Sequence, residues 1–254
     1  MHNDRVKSRK AEAQAAANTP DLVIIDISHW QPEPDWAVLR NSGIVGIFMK
    51  ATQGTSYTDD TFVKRRNDAK AAGFPVASYH FLEHGDVDSQ MAHYLDVVSP
   101  VTGERVVIDY EEASCTSDDL AQAVDNLLSD PRDLQVTVYG ASKLTDDVRA
   151  DDSCWGVLNS TSLWAARYSS SQPVVATEVW PTWTLWQYTD NATVPGISGP
   201  VDGNRFNGSQ ENCVKWFGPA GIPAPAPATR NVYVSIDADD GVIVTVKVNN
   251  ETLK

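Results

Sequence analysis

Arg105-Val106-Val107-Ile108-Asp109-Tyr110-Glu111-Glu112 is an apolar run of strand type that ends in three carboxylates. In an extended chain successive side chains alternate faces, so Asp109 and Glu111 point the same way with Cα atoms ~6.6 Å apart, while Glu112 points away. Two carboxyls held together cannot both ionise easily, and the one in the drier setting keeps its proton near neutral pH. That describes a general acid beside a charged neighbour. The plainer alternative is that acids after a strand begin a loop, or cap the helix that Ser117-Asp118-Asp119 opens. The octapeptide alone does not choose.

On either side the same pattern repeats. Leu22 to Ser28 and Ile44 to Lys50 are apolar runs of the kind expected for strands buried on both faces, and each finishes in a charged or polar residue. Pro75 to Phe81 and Leu134 to Tyr139 read as two further strands. Between them the spacing predicts helices around Trp36 to Asn41, over Thr61 to Ala72, Asp86 to Val98 and residues 117 to 130, with one more beyond residue 142. After that the helices stop, and Leu163 to Tyr168, Thr184 to Tyr188 and Pro200 to Phe206 read as short strands. Strand and helix taking turns argue for parallel strands joined by crossovers. The fold class is α/β, with about eight strands, a number that a parallel barrel would close.

In a parallel barrel the carboxyl ends of the strands share one face, and that face carries the site. With acids read at the ends of the first, fourth and eighth strands, Asp26, Asp109, Glu111 and Asp202 would meet there. Any one of them could merely end a strand at solvent. Together they stand beside Trp30, Tyr79, Phe81, Tyr139, Trp164, Trp186 and Tyr188, and carboxylates between aromatic faces describe a glycosidase cleft. Several of the eight tryptophans are equally suited to the core.

The chain has 254 residues, 42% of them apolar, enough for one large domain and a small appendage. No run approaches the ~20 apolar residues of a membrane span. Residues 1–20 carry net +2 and the remainder −16, which argues against nucleic acid as a partner. Cys115, Cys154 and Cys213 lack C-x-x-C spacing, so they are read as structural, with a disulfide left open. The histidines at 29, 80, 84 and 93 are read as hydrogen-bonded or exposed residues rather than metal ligands. No phosphate-cradling glycine pattern occurs.

The chain resembles the family-25 glycoside hydrolases, the bacterial and phage lysozymes that act as N-acetylmuramidases. The resemblance is carried by Asp26-Ile27-Ser28-His29-Trp30-Gln31, Lys50 to Asp59, Tyr79-His80-Phe81, Asp109-Tyr110-Glu111, Leu163 to Tyr168, Trp186-Gln187-Tyr188 and Val201-Asp202-Gly203-Asn204. The family often has Glu at the position of Gln53 and a more apolar residue at that of Gly203. The resemblance implies an irregular TIM-like (β/α)-barrel of five β/α units followed by three strands, and hydrolysis of the β-1,4 bond between N-acetylmuramic acid and N-acetylglucosamine in bacterial peptidoglycan. It implies Glu111 as general acid, and Asp109 either attacking the anomeric carbon or orienting the 2-acetamido group to do so. Asp26 and Asp202 would complete the carboxylate floor, with no metal and no cofactor. Lys50 is expected to pair with a cleft acid and Glu112 to be a loop charge. Two other functions fit the same residues: a barrel that binds wall glycan without cutting it, and a hydrolase of chitin-like chains.

The expected organisation is a polar extension over 1–20, the catalytic barrel over 21–217, a Pro/Ala-rich linker over 218–229 and a β-hairpin over 230–254. A lone hairpin is marginal in water, so this one is expected to add to the barrel, a neighbouring chain, or a wall or virion partner, with self-association the preferred reading. No secretory signal is read at the amino terminus. That suits a phage endolysin made in the host cytoplasm and released to the wall, or a virion-borne enzyme.

Overall fold

The apolar run before Asp26 folds as β1 (Val23–Ile27), and its alternation sorts the whole chain. Ile24 faces the barrel lumen, whereas Ile25 and Ile27 face an outer shell of helices. Asp26 has the parity of Ile24 and so points inward. The computed structural model describes residues 23–218 and, beyond them, the strands at 232–237, 243–248 and 251–252. Expectations for the amino-terminal extension, for nearly all of the Pro/Ala linker and for the turn at Asp239-Asp240-Gly241 lie outside the described residues.

After β1 come α1 (Trp36–Leu39), β2 (Ile44–Gln53), the two-residue β3 (Tyr57–Thr58), α2 (Phe62–Ala71), β4 (Val76–Phe81) and α3 (Val87–Val98). Next are β5 (Arg105–Asp109), α4 (Ser117–Leu128), β6 (Gln135–Gly140), α5 (Ser142–Ala150), α6 (Trp155–Leu158), β7 (Ser162–Ala166), β8 (Leu185–Ala192), β9 (Val201–Phe206) and α7 (Gln210–Trp216). Strands β1, β2, β4, β5, β6, β7, β8 and β9 pair in that order, and β9 closes on β1. The result is a closed eight-stranded barrel in which five β/α units precede three strands, as the resemblance implied.

One strand departs from expectation. β9 runs antiparallel to both β8 and β1, so the barrel is mixed rather than all-parallel. Only residues 193–200 separate β8 from β9, and parallel neighbours need a crossover of a dozen residues or more. A second departure is α7, which lies past the point where the helices were expected to stop. Ser209 caps it by accepting from the Asn212 N–H at 3.2 Å, and its Cys213, with Trp216 and Phe217, packs at the lumen's amino-terminal end. Phe217 lies so close to Gly46 on β2 that a Cβ there would run into its ring. Arg105 donates to the Trp216 carbonyl at 2.6 Å and stacks 3.8 Å above its ring. With this end plugged, the lumen opens, among the described residues, at the carboxyl ends of the seven parallel strands.

The local reasons for the helices are ordinary. α4 carries a capping box in which Thr116 and Asp119 bond each other's backbone. Asp86 caps α3, accepting from the Ser89 N–H at 3.1 Å, and α2 gives way at Gly73, whose φ of +84° is the left-handed region that favours glycine.

Described by itself, the tail has β10 (Val232–Asp237) antiparallel to β11 (Ile243–Val248). A third strand, β12 (Glu251–Thr252), pairs with β11, so the expected hairpin is a three-stranded sheet.

Candidate active site

Four carboxyls meet at the open end of the lumen. β1 supplies Asp26, β5 supplies Asp109, and Glu111 follows two residues later on the same face; all three line one cleft with Asp202. Asp202 is the second residue of β9, not its last. It reaches this end because β9 is reversed, which places it directly opposite Asp26 in the β1–β9 register. The reading of Asp202 as the terminus of an eighth parallel strand is therefore corrected, although the residue itself lands in the cleft.

Hydrogen bonds fix the state of the floor. The Trp164 indole can only donate, and it donates to Asn204 Oδ1 at 2.7 Å. The Asn204 amide nitrogen must then face Asp26, to which it donates at 2.7 Å. Gln187 is oriented the same way: its Oε1 accepts from Tyr139 at 2.8 Å and from Tyr168 at 3.0 Å, so its Nε2 donates to Asp26 at 3.0 Å and to Asp202 at 3.3 Å. Asp26 is an acceptor on every side. Burial raises its pKa, while the Asn204, Gln187 and Asp202 hydrogen bonds pull it down and Glu111 pushes it up. Asp202 is pushed up to about 8, by burial first and then by the charge of Asp26 and the hydrogen bond to it. With Asn204 and Gln187 both donating to Asp26, the bonding pattern makes Asp202 the donor of the pair.

Asp109 is buried, and its Oδ1 has no hydrogen-bond partner among the described residues. Burial and the Glu111 charge hold its pKa well above the usual carboxylate range, with Lys50 opposing and Asp26 adding. Glu111 stands at the exposed rim, yet partial burial of its carboxyl raises its pKa, Lys50 opposing and Asp202 adding. Water at the rim screens that push. Lys50 is held by Gln53 at 2.6 Å and lies 4.9 Å over the Phe81 ring, facing the acids. Burial lowers its pKa, and Asp109, Asp59, Glu111 and Glu83 draw it back up.

The expected aromatic residues divide. Tyr79, Phe81 and Tyr139 line the cleft, Trp164 forms its buried floor, and Trp30 stands at the mouth with 80% of its surface exposed. Trp186 and Tyr188 do not reach it. Alternation along β8 turns Gln187 inward and its two neighbours outward. Trp186 is 3% exposed, packs in the outer core and donates to the Arg167 carbonyl at 2.8 Å. Tyr188 rests against that core with the Arg205 guanidinium 4.4 Å from its ring. The residues of the cleft that sequence reasoning missed were Gln187 and Tyr168, which line it, and Asn204, which bonds Asp26 from behind. All lie in the segments that carry the resemblance, and strand parity would have selected Gln187 over Trp186.

Glu112 is bound into the turn after β5, accepting from the Ser114 and Cys115 N–H groups at 3.0 Å, and the Ser114 bonds hold its pKa low. His80 is buried between Thr52 at 2.8 Å and Gln90 at 3.2 Å, and burial holds it down to about 4. His84 bonds Asp119 and His29 bonds Asp59. Among the described residues no three His, Cys, Asp or Glu side chains are arranged to hold a metal ion, and no helix is long and apolar enough to cross a membrane. The three cysteines are buried and unpaired.

Residues 25–197 match the family model of the glycosyl hydrolases family 25. Lysozyme M1 of Streptomyces globisporus is 30% identical over 76% of this chain and 70% of its own length. The autolytic lysozyme of Clostridium acetobutylicum is 30% identical over 72% of this chain and 55% of its own. The crystal structure of a bacterial lysozyme from Streptomyces coelicolor superposes with a TM-score of 0.62 at 25% identity, covering 77% of this chain and 96% of that one.

Proposed function

Because this chain belongs to the glycosyl hydrolases family 25 and is a glycoside hydrolase of lysozyme type, we propose that it cleaves the β-1,4 bond between N-acetylmuramic acid and N-acetylglucosamine in bacterial peptidoglycan. Glu111 is the general acid. It stands at the rim, where a glycosidic oxygen can approach, and its raised pKa keeps a proton to give.

The observation that carries the reading is Asp109 Oδ1, a buried carboxylate oxygen without a hydrogen-bond partner among the described residues. A buried acceptor left unpaired is costly, and the N–H of a 2-acetamido group would satisfy it. Asp109 then orients that group so that its carbonyl oxygen attacks the anomeric carbon as the bond to the leaving oxygen breaks. The leaving oxygen takes the Glu111 proton, and water, deprotonated by Glu111, opens the cyclic intermediate. Asp26 supplies fixed negative charge beneath the positive charge that develops on the sugar. Trp30 and Phe81 offer apolar faces to the rings on either side.

The reading is tested by digesting purified peptidoglycan, reducing the products with borohydride and identifying the reduced sugar by mass spectrometry. Reduced N-acetylmuramic acid is expected. Reduced N-acetylglucosamine would place the cut at the other bond, and binding without fragments would favour a glycan-binding barrel.

A further inference from the structure

A cavity of about 380 Å³ lies at the same end of the barrel as the cleft, behind the wall made by the carboxyl ends of β6 and β7. Tyr139 and Trp164 line the cleft from these strands. The residues after them, Gly140 and Ala165, point the other way and line the cavity. The space exists because no helix follows β7. The chain runs instead through residues 167–184, burying Ala176, Val179, Trp180 and Trp183, and its Pro173 and Val174 line the cavity opposite the barrel wall, tied to α5 where Thr145 and Arg149 donate to the Val174 and Val175 carbonyls at 3.3 and 2.9 Å.

Its walls are apolar, formed by Leu144, Leu163, Ala165, Pro173 and Val174, and its rim is charged. Arg149 on the rim already has Glu178 at 3.8 Å, and Asp146 lies on the same helix. Arg167 is exposed and donates one N–H to the Gln172 carbonyl at 2.8 Å. No carboxylate lies within ion-pairing distance of it among the described residues. In a chain of net charge −14, an exposed guanidinium over an apolar pocket fits a ligand with small apolar groups and a carboxylate.

We propose that this cavity receives the peptide branch of the glycan strand, its small side chains against Leu144, Leu163 and Ala165 and a carboxylate on Arg167. The proposal rests on the peptidoglycan reading above. The branch leaves a sugar held in the cleft, and Tyr168, which lines the cleft, directly follows Arg167 in the chain. The first turn of α5, where Ala141 provides no side-chain cap, adds unfilled N–H groups at the same rim.

The test compares kcat/KM on intact peptidoglycan strands and on the same strands stripped of peptide by an amidase, for the wild type, Arg167→Gln and Ala141→Asp. The wild type should prefer the peptide-bearing glycan by about tenfold, the scale of one charge-assisted hydrogen bond. Arg167→Gln should lose most of that preference while keeping its rate on stripped glycan. Ala141→Asp places a carboxylate at the start of α5, so it should melt no earlier than the wild type and still lose the preference. Equal wild-type rates on the two glycans, or variants that fall equally on both, would overturn the proposal. Failure of the wild type to cut either glycan would remove the peptidoglycan reading and this proposal with it.

Discussion

Asp26 and Asp202 stand directly opposite each other across the antiparallel pair β1–β9, and after burial the charge of Asp26 and the hydrogen bond to it push the Asp202 carboxyl up to about 8. Because Gln187 and Asn204 both donate to Asp26, Asp202 is the donor of the pair. Asn at 202 can still present an N–H to Asp26, whereas Asn at 26 replaces a carboxylate oxygen with a donor facing two others. Asp26→Asn should therefore cost about 1–3 kcal/mol in urea unfolding at neutral pH, and Asp202→Asn clearly less. Equal losses would contradict this assignment of the proton.

The same pair makes a prediction in pH. Asp202 rises from an ordinary 3.8 to about 8 in the folded protein, so the folded state holds this proton more tightly than the unfolded chain. Its contribution to stability is complete below 3.8 and is lost as pH climbs through about 8. Asp202→Asn removes that loss. The difference in unfolding free energy between variant and wild type should move in the variant's favour from about pH 5 to about pH 9, and a constant difference would refute the coupling.

Trp30 and Trp186 should separate cleanly. Trp30 is exposed at the cleft mouth, so Trp30→Ala should leave the unfolding midpoint unchanged and raise KM for glycan several-fold. Trp186 is core, and Trp186→Ala should cost about 3–5 kcal/mol. A KM effect of Trp186→Phe with unchanged stability would return that residue to the cleft.

This pair also shows what the sequence could tell. Apolar runs located β1, β2, β4, β5, β6 and β7, because strands covered on both faces need them, and the acids at Asp26, Asp109 and Glu111 were legible from strand ends. That Gln187 faces inward, and Trp186 and Tyr188 outward, was harder to read, since an inward glutamine carries no hydrophobic signal and its two aromatic neighbours do. The direction of β9 was legible in principle from the eight residues of 193–200. So was α7, with Ser209 before it, Glu211 in its first turn and Lys215 in its last. The amide network of Asn204 and Gln187 joins residues remote in the chain, and only the closed barrel brings them to Asp26.

Lys50 holds down the pKa of both Asp109 and Glu111. Replacing it with Met removes the charge and keeps much of the apolar stem. Both limbs of the pH profile of kcat/KM should then move to higher pH, because each acid keeps its proton longer. A profile with unshifted limbs would show that Lys50 does not act on the catalytic pair.

The most direct test of the whole account is peptidoglycan digestion by the wild type, Glu111→Gln and Glu112→Gln side by side, with folding checked by circular dichroism. Glu111→Gln should fold normally and lose about 10²–10⁴-fold in rate, while Glu112→Gln, which alters only a turn, should digest at close to the wild-type rate. Retained activity in Glu111→Gln, or an equal loss in Glu112→Gln, would contradict the assignment of the general acid.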